Sequence, residues 1–222
     1  MSAIEYTPEG AVVISYQALV LAPETLGPAI EKAFGSHPSS LGIVVIRDVP
    51  KEYQEYRKKL LGLAYHFGNL DEKEIMNGKP DTLKGSYYAN PIEANVEVAA
   101  AEKAEFPEYY GTNIWPNKDF EGLEDFEKSF RNLSRLIFDV GCKLACACQP
   151  FASQHLNDST ISLADLIRTS YTTKARLLHY FPPSPDAPAP SDDDPVDSWC
   201  GFHLDHSLLT GLCPVCLPAV LN

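Results

Sequence analysis

Trp199-Cys200-Gly201-Phe202-His203-Leu204-Asp205-His206-Ser207-Leu208-Leu209-Thr210-Gly211-Leu212 is an apolar and aromatic stretch with the alternation expected of a β-strand. Successive side chains leave a strand on opposite faces, so Phe202, Leu204 and His206 share one face and Gly201, His203, Asp205 and Ser207 the other. Ahead of it, Ala175-Arg176-Leu177-Leu178-His179-Tyr180-Phe181 is a second strand candidate, stopped by Pro182-Pro183. The interval 184–198 holds further prolines and five aspartates, with Val196 its one large apolar residue. Such a composition predicts a solvated, extended loop between the two strands.

Working back toward the start, Ala11-Val12-Val13-Ile14 is a short strand candidate, and Pro23 to Phe34 has a helix-like start with Leu26, Ile30 and Phe34 four residues apart. Leu41-Gly42-Ile43-Val44-Val45-Ile46 is a nearly continuous apolar run, as expected of a strand covered on both faces, and Pro50 closes it. Residues 51–68 follow as an amphipathic helix through Tyr53, Tyr56, Leu60, Leu63 and Phe67. The richness of 77–118 in Gly, Asn, Pro and aromatics predicts a mostly irregular connection containing Gly85-Ser86-Tyr87-Tyr88 and Asn113-Ile114-Trp115-Pro116. From Glu121 to Gln149, Leu123, Phe126, Phe130, Leu133, Ile137, Val140, Leu144 and Ala147 step by three and four. That stripe predicts a long core helix, the alternative being a coiled coil. A short helix candidate lies at Ser162 to Ile167. The chain shows no internal repeat, P-loop, dinucleotide glycine fingerprint or Gly-x-Ser-x-Gly elbow.

His203 and Asp205, two apart on one strand, aim an imidazole nitrogen and a carboxylate at a common point. Together they are two thirds of the facial triad that holds non-haem Fe(II) with open coordination positions. Alone the tripeptide is unspecific, and a solvated or core histidine is the alternative reading. The context carries more. The strand ending in His179-Tyr180-Phe181-Pro182, the variable loop and the strand His203-Leu204-Asp205 through Leu209-Thr210 together resemble the isopenicillin N synthase-like branch of the Fe(II)- and 2-oxoglutarate-dependent oxygenases. Gly42-Ile43-Val44-Val45-Ile46-Arg47-Asp48-Val49-Pro50 is similar to the strand and turn of that family's N-terminal region. Gly85-Ser86-Tyr87-Tyr88 and Asn113-Ile114-Trp115-Pro116 resemble its connecting motifs, so the resemblance runs from about residue 10 to residue 212.

The resemblance implies an α+β chain whose N-terminal helices and strands lead into a double-stranded β-helix, or jelly roll. It divides the chain into an N-terminal-like region, 1–118, and a long core helix with the first part of the β-helix, 119–222. It further implies that His203 and Asp205 are metal ligands, that Tyr180 faces the cosubstrate or substrate, that Fe(II) is the metal and that 2-oxoglutarate is the cosubstrate. The implied activity is oxidation of a small organic molecule coupled to decarboxylation of 2-oxoglutarate, ending in hydroxylation, desaturation or ring closure. The family pattern continues with a second histidine and an Arg-x-Ser, whereas this sequence ends at Asn222. The β-helix and its site are therefore expected to be incomplete in this chain, a truncated form. His37, His66, His155 and His179 are the upstream histidines that could stand in, His179 foremost, while His206 has the wrong strand parity. The competing reading is a non-catalytic fragment acting as a binding or dimerisation module.

Composition limits the other classes. An excess of 30 acidic over 18 basic residues, net charge -12, argues against a nucleic-acid partner, which needs clustered Lys and Arg. The start lacks a basic segment followed by an apolar one, and no apolar run approaches the roughly 18 residues that span a bilayer. The expectation is a cytoplasmic, soluble protein with no membrane partner, its six cysteines reduced. A zinc site built from Cys213, Cys216 and other thiols is a third possibility, against the simpler reading of buried small hydrophobes.

Overall fold

The computed structural model describes residues 3–68, 84–93, 97–117, 119–181, 205 and 207–213. It is a mixed α+β structure that divides into two compact units, residues 1–55 with 135–170, and residues 56–134 with 171–222. The units interleave along the chain, and two helices, α3 (Glu52–Gly68) and α6 (Phe126–Ala152), contribute to both.

In the first unit, β1 (Glu5–Tyr6), β2 (Val12–Ser15) and β3 (Val44–Arg47) form a sheet in that order. β1 runs antiparallel to β2, with Tyr6 opposite Val12, and β2 runs parallel to β3, with Val12 opposite Val44 and Ser15 opposite Arg47. Parallel neighbours cannot be joined by a tight turn, and here the crossover is α1 (Tyr16–Leu21), a 3₁₀ turn over Pro23–Leu26 and α2 (Gly27–Phe34). Ser15 starts α1 by accepting a hydrogen bond from the Ala18 amide at 3.1 Å. Gly35 ends α2 because a Cβ there would stand 2.4 Å from the Glu31 carbonyl oxygen. Central β2 buries Val12 and Ile14, and the crossover adds Leu19, Leu26, Ile30 and Ala33 to the core. The expected strand at 41–46 is present, displaced to 44–47, but it is not covered on both faces. Among the described residues it is one of the two edge strands, with Val45 39% exposed and Ile43, just ahead of it, 56%. A continuous apolar run marks a strand without saying which neighbours it has.

The later half of α6 belongs to this unit and buries Cys142, Leu144, Ala145 and Ala147. Gln149 ties it to α7 (Leu163–Arg168): its Nε2 donates to the Ile161 carbonyl at 2.9 Å, and its Oε1 accepts from the Leu163 amide at 2.7 Å. Ser162 caps α7, its hydroxyl accepting from the Asp165 amide at 3.2 Å.

In the second unit, β4 (Lys84–Ala89) pairs antiparallel with β5 (Ala175–Tyr180), Lys84 opposite Tyr180 and Ala89 opposite Ala175. The expectation of an irregular 77–118 is thereby corrected, since Gly85-Ser86-Tyr87-Tyr88 is strand, and α4 (Ala100–Glu105) and α5 (Pro107–Tyr110) follow it. The pairing partner lies some ninety positions away, so no local pattern announces it. Against the strands pack Phe67 of α3, Trp115, and Phe126 and Phe130 of α6. Ring centroids from Tyr87 to Phe67, Phe126 and Phe130 lie 5.2–5.4 Å apart, all in edge-on geometry. The long-helix stripe holds: Leu123, Phe126, Phe130, Leu133, Leu144 and Ala147 are buried, Leu123 in the turn that leads into α6.

The expected strand through Leu212 is also corrected where it can be followed. Residues 207–208 form a bend and 209–213 are irregular, with no strand assigned there among the described residues, and Leu208 and Leu212 are exposed. Residues 199–204 and 206, and the loop at 184–198, lie outside the described residues. Among the described residues the strands make two small sheets and no barrel, and no helix is long and apolar enough to cross a membrane.

Candidate functional site

His203 lies outside the described residues. Asp205 is exposed, and its Oδ2 accepts a hydrogen bond from the Thr210 hydroxyl at 2.7 Å. Ser207 and Thr210 hydroxyls are 2.8 Å apart. A hydroxyl has one proton, and that of Thr210 goes to Asp205, so Ser207 is the donor in the second bond. The short chain Ser207 to Thr210 to Asp205 holds the carboxylate within the 205–210 segment.

Tyr180 ends β5, 38% exposed, opposite Lys84. Strand alternation separates it from His179, which turns to the other face. There the His179 ring stands edge-on to Phe181 at 5.0 Å, and a side chain on Gly68 would meet it at 3.2 Å. The remaining upstream histidines are also engaged. His37 Nδ1 accepts from the Ser39 amide at 3.1 Å, His66 stands 6.0 Å from Tyr65, and His155 packs edge-on to Phe151. Among the described residues, no three His, Cys, Asp or Glu side chains come together in a group that could hold a metal. An imidazole from His203 and a carboxylate from Asp205 would offer one nitrogen and one oxygen donor, a set chemically suited to Fe(II).

On the β4–β5 sheet, Lys84 and Arg176 had not been singled out by the sequence. Lys84, Ser86 and Tyr88 of β4 share a face with Arg176, Leu178 and Tyr180 of β5, because residues directly opposite in a ladder project to the same side. Arg176 donates from Nη2 to the Ser86 hydroxyl at 2.8 Å and lies over the Tyr88 ring at 5.0 Å. The signal was the i, i+2 spacing of Arg176, Leu178 and Tyr180, which becomes meaningful only with the register known.

Behind the other face, Tyr87 donates its hydroxyl to the Ile114 carbonyl at 2.7 Å. Burial, with Glu127 adding to it, pushes the phenol far above its ordinary range, so Tyr87 stays a neutral donor. At the end of β4, Asn113 grips the Asn90 backbone in both directions, its Oδ1 accepting from the Asn90 amide at 2.7 Å and its Nδ2 donating to the Asn90 carbonyl at 2.8 Å. Arg131 closes this region, with its guanidinium 4.9 Å from the Trp115 ring centre, Nε on Glu127 at 2.9 Å and Nη1 on the Pro91 carbonyl at 3.2 Å. Asn113-Ile114-Trp115-Pro116 is thus a docking segment for β4.

The thiols of α6 differ in access. Cys146 is exposed with Arg168 Nη2 at 3.9 Å from its sulfur, Cys142 is buried, and burial pushes the Cys148 thiol up to about 11. Relative to an ordinary thiol near 9.0, Cys148 then holds about a hundredfold less thiolate at pH 8. Peptide mapping after brief iodoacetamide treatment at pH 8 should find Cys146 labelled well before Cys142 and Cys148. Equal labelling of all three in the folded protein would contradict this packing. No known protein family, curated protein or solved structure gives a match to this chain.

Proposed function

We propose that this chain derives from the isopenicillin N synthase-like Fe(II)- and 2-oxoglutarate-dependent oxygenases and acts on a small organic substrate. In this reading β5 is an opening strand of a double-stranded β-helix, His203 and Asp205 hold the iron, and Tyr180 lines the adjoining cavity. The observation that supports it is the order of motifs along the chain: a strand closing on Tyr180, a proline-rich interval, then His203-Leu204-Asp205 with Thr210 bonded to the aspartate. Bound iron and 2-oxoglutarate supply the oxidising chemistry. The chain supplies an imidazole and a carboxylate that leave coordination positions open, and Thr210 orients the carboxylate by donating to one oxygen.

Anaerobic titration with Fe(II) and 2-oxoglutarate tests the reading. The expected result is the visible charge-transfer band of a bidentate 2-oxoglutarate–iron complex, abolished in His203→Ala and Asp205→Ala. A wild-type chain that stays colourless and retains no iron after desalting would sink the proposal.

A further inference from the structure

We propose that Cys142 and Cys146 of α6, with Arg168 of α7 beside them, form a two-coordinate site for a soft monovalent cation, copper(I) being the metal that fits. The site is separate from the iron site proposed above and uses none of its residues.

Spacing is the first argument. The two cysteines are four apart in a continuous helix, so their side chains stack on one face, one turn apart, with Cβ atoms about 5–6 Å from each other. A disulfide needs Cβ atoms about 3.5–4.5 Å apart and would have to pull the helix out of shape. The same gap suits an ion held between the sulfurs. With metal–sulfur bonds of about 2.3 Å, two sulfurs on opposite sides of one ion stand about 4.5 Å apart. An ion with two ligands in line does not call for a group of three metal-binding side chains, which the described residues lack. Thiolates are soft donors that select copper(I) over harder cations, while zinc asks for four ligands. Cys148, two residues on, projects about 200° around the helix from Cys146, which removes it from the pair.

Access and charge are the second argument. Cys146 is exposed, whereas Cys142 is only 4% exposed. An ion would meet the outer sulfur first and be closed in by the inner one. Two thiolates around one monovalent cation carry a single net negative charge, and Arg168 is in place to balance it. Its Nη2 lies 3.9 Å from the Cys146 sulfur, and its Nη1 reaches Asp165 at 3.5 Å. The Asp165 pair is exposed and therefore weak, so it leaves most of the guanidinium's attraction to the sulfurs. Burial holds the Cys142 thiol above its ordinary range. Arg168 opposes that shift, while Asp139 and Cys146 add to it. The guanidinium thus bears on both sulfurs of the pair.

Loading is an exchange of protons for metal: each thiol gives its proton to solvent as its metal–sulfur bond forms, and the copper stays monovalent throughout. Uptake should therefore strengthen as pH rises. Because the ion binds the folded helix pair, it should also stabilise the first unit.

The test uses the full chain with Cys200→Ser, Cys213→Ser and Cys216→Ser, which leaves the three thiols of α6. Copper(I) is offered anaerobically as its coloured bicinchoninate complex, and loss of colour measures transfer. One equivalent per chain is expected. Cys146→Ser, at an exposed position that folding tolerates, and Cys142→Ala should each lower the affinity at least about a hundredfold. Arg168→Gln should lower it about tenfold, and Cys148→Ser should leave it within about threefold. No uptake by the parent chain overturns the site, as does a loss in Cys148→Ser equal to that in Cys146→Ser. Undiminished binding in Cys142→Ala or in Cys146→Ser overturns it equally, and undiminished binding in Arg168→Gln strikes Arg168 from it.

Discussion

Phe130→Ala should lower the unfolding free energy of the second unit by about 3–5 kcal/mol, among the largest effects expected of any single change in this protein. Phe130 is 1% exposed. Its ring centre lies 5.4 Å from Tyr87, 5.6 Å from Trp115 and 6.3 Å from Phe126. Truncation removes the transfer energy of a phenyl group and leaves a void bordered by three other rings. Those rings are themselves anchored, Tyr87 by its bond to Ile114 and Trp115 beneath Arg131, so the void has little scope to collapse. Urea unfolding followed by tryptophan emission measures the loss, because Trp115 borders the cavity. A change below about 1 kcal/mol would mean that the aromatic cluster does not hold this unit together.

Asn90→Ala should cost about 2–4 kcal/mol, for a different reason. Asn90 is 3% exposed, and its side chain serves three backbone groups at once. Nδ2 donates to the Tyr171 carbonyl at 3.0 Å, and Oδ1 accepts from the amides of Ile92 and Glu93 at 2.9 and 3.0 Å. Removal strands partners that lie far apart in sequence, and the chain around the end of β4 must reopen to hydrate them. Asn113→Ala attacks the same joint from the other side by releasing the Asn90 backbone. The double variant should cost less than the sum of the singles, since either loss already loosens the shared joint. Additive costs, measured by the same unfolding assay, would show the two asparagines to be independent.

These two results bear on what could be read before the fold was known. The helical stripe from Leu123 to Ala147 was legible because a buried helix face needs only local spacing, and Phe126 and Phe130 fell on it. Asn113-Ile114-Trp115-Pro116 was visible as a motif, but its task was not. Clamping β4 with a side-chain amide, a backbone carbonyl and an indole requires knowing that β4 exists. That strand was missed because Gly85 and Ser86 have weak strand preference and its partner is β5, far along the chain. The same gap hid Arg176, whose neighbours Ser86 and Tyr88 are supplied by register. Parity was legible in β5, where it separates His179 from Tyr180. Exposure was not, as the edge position of β3 shows, because an apolar run carries no record of what lies beside it.

The interleaving of the two units has a consequence for synthesis. The sheet of β1, β2 and β3 and its crossover leave the ribosome early, but the helical segment from Arg135 to Ser170 that completes their unit is made much later. At ordinary elongation rates the wait is on the order of ten seconds. Throughout it the nascent chain presents an apolar sheet edge and an unfinished core, with the intervening residues already assigned to another unit. The first unit is thus completed only after residues 56–134 of the second have been made.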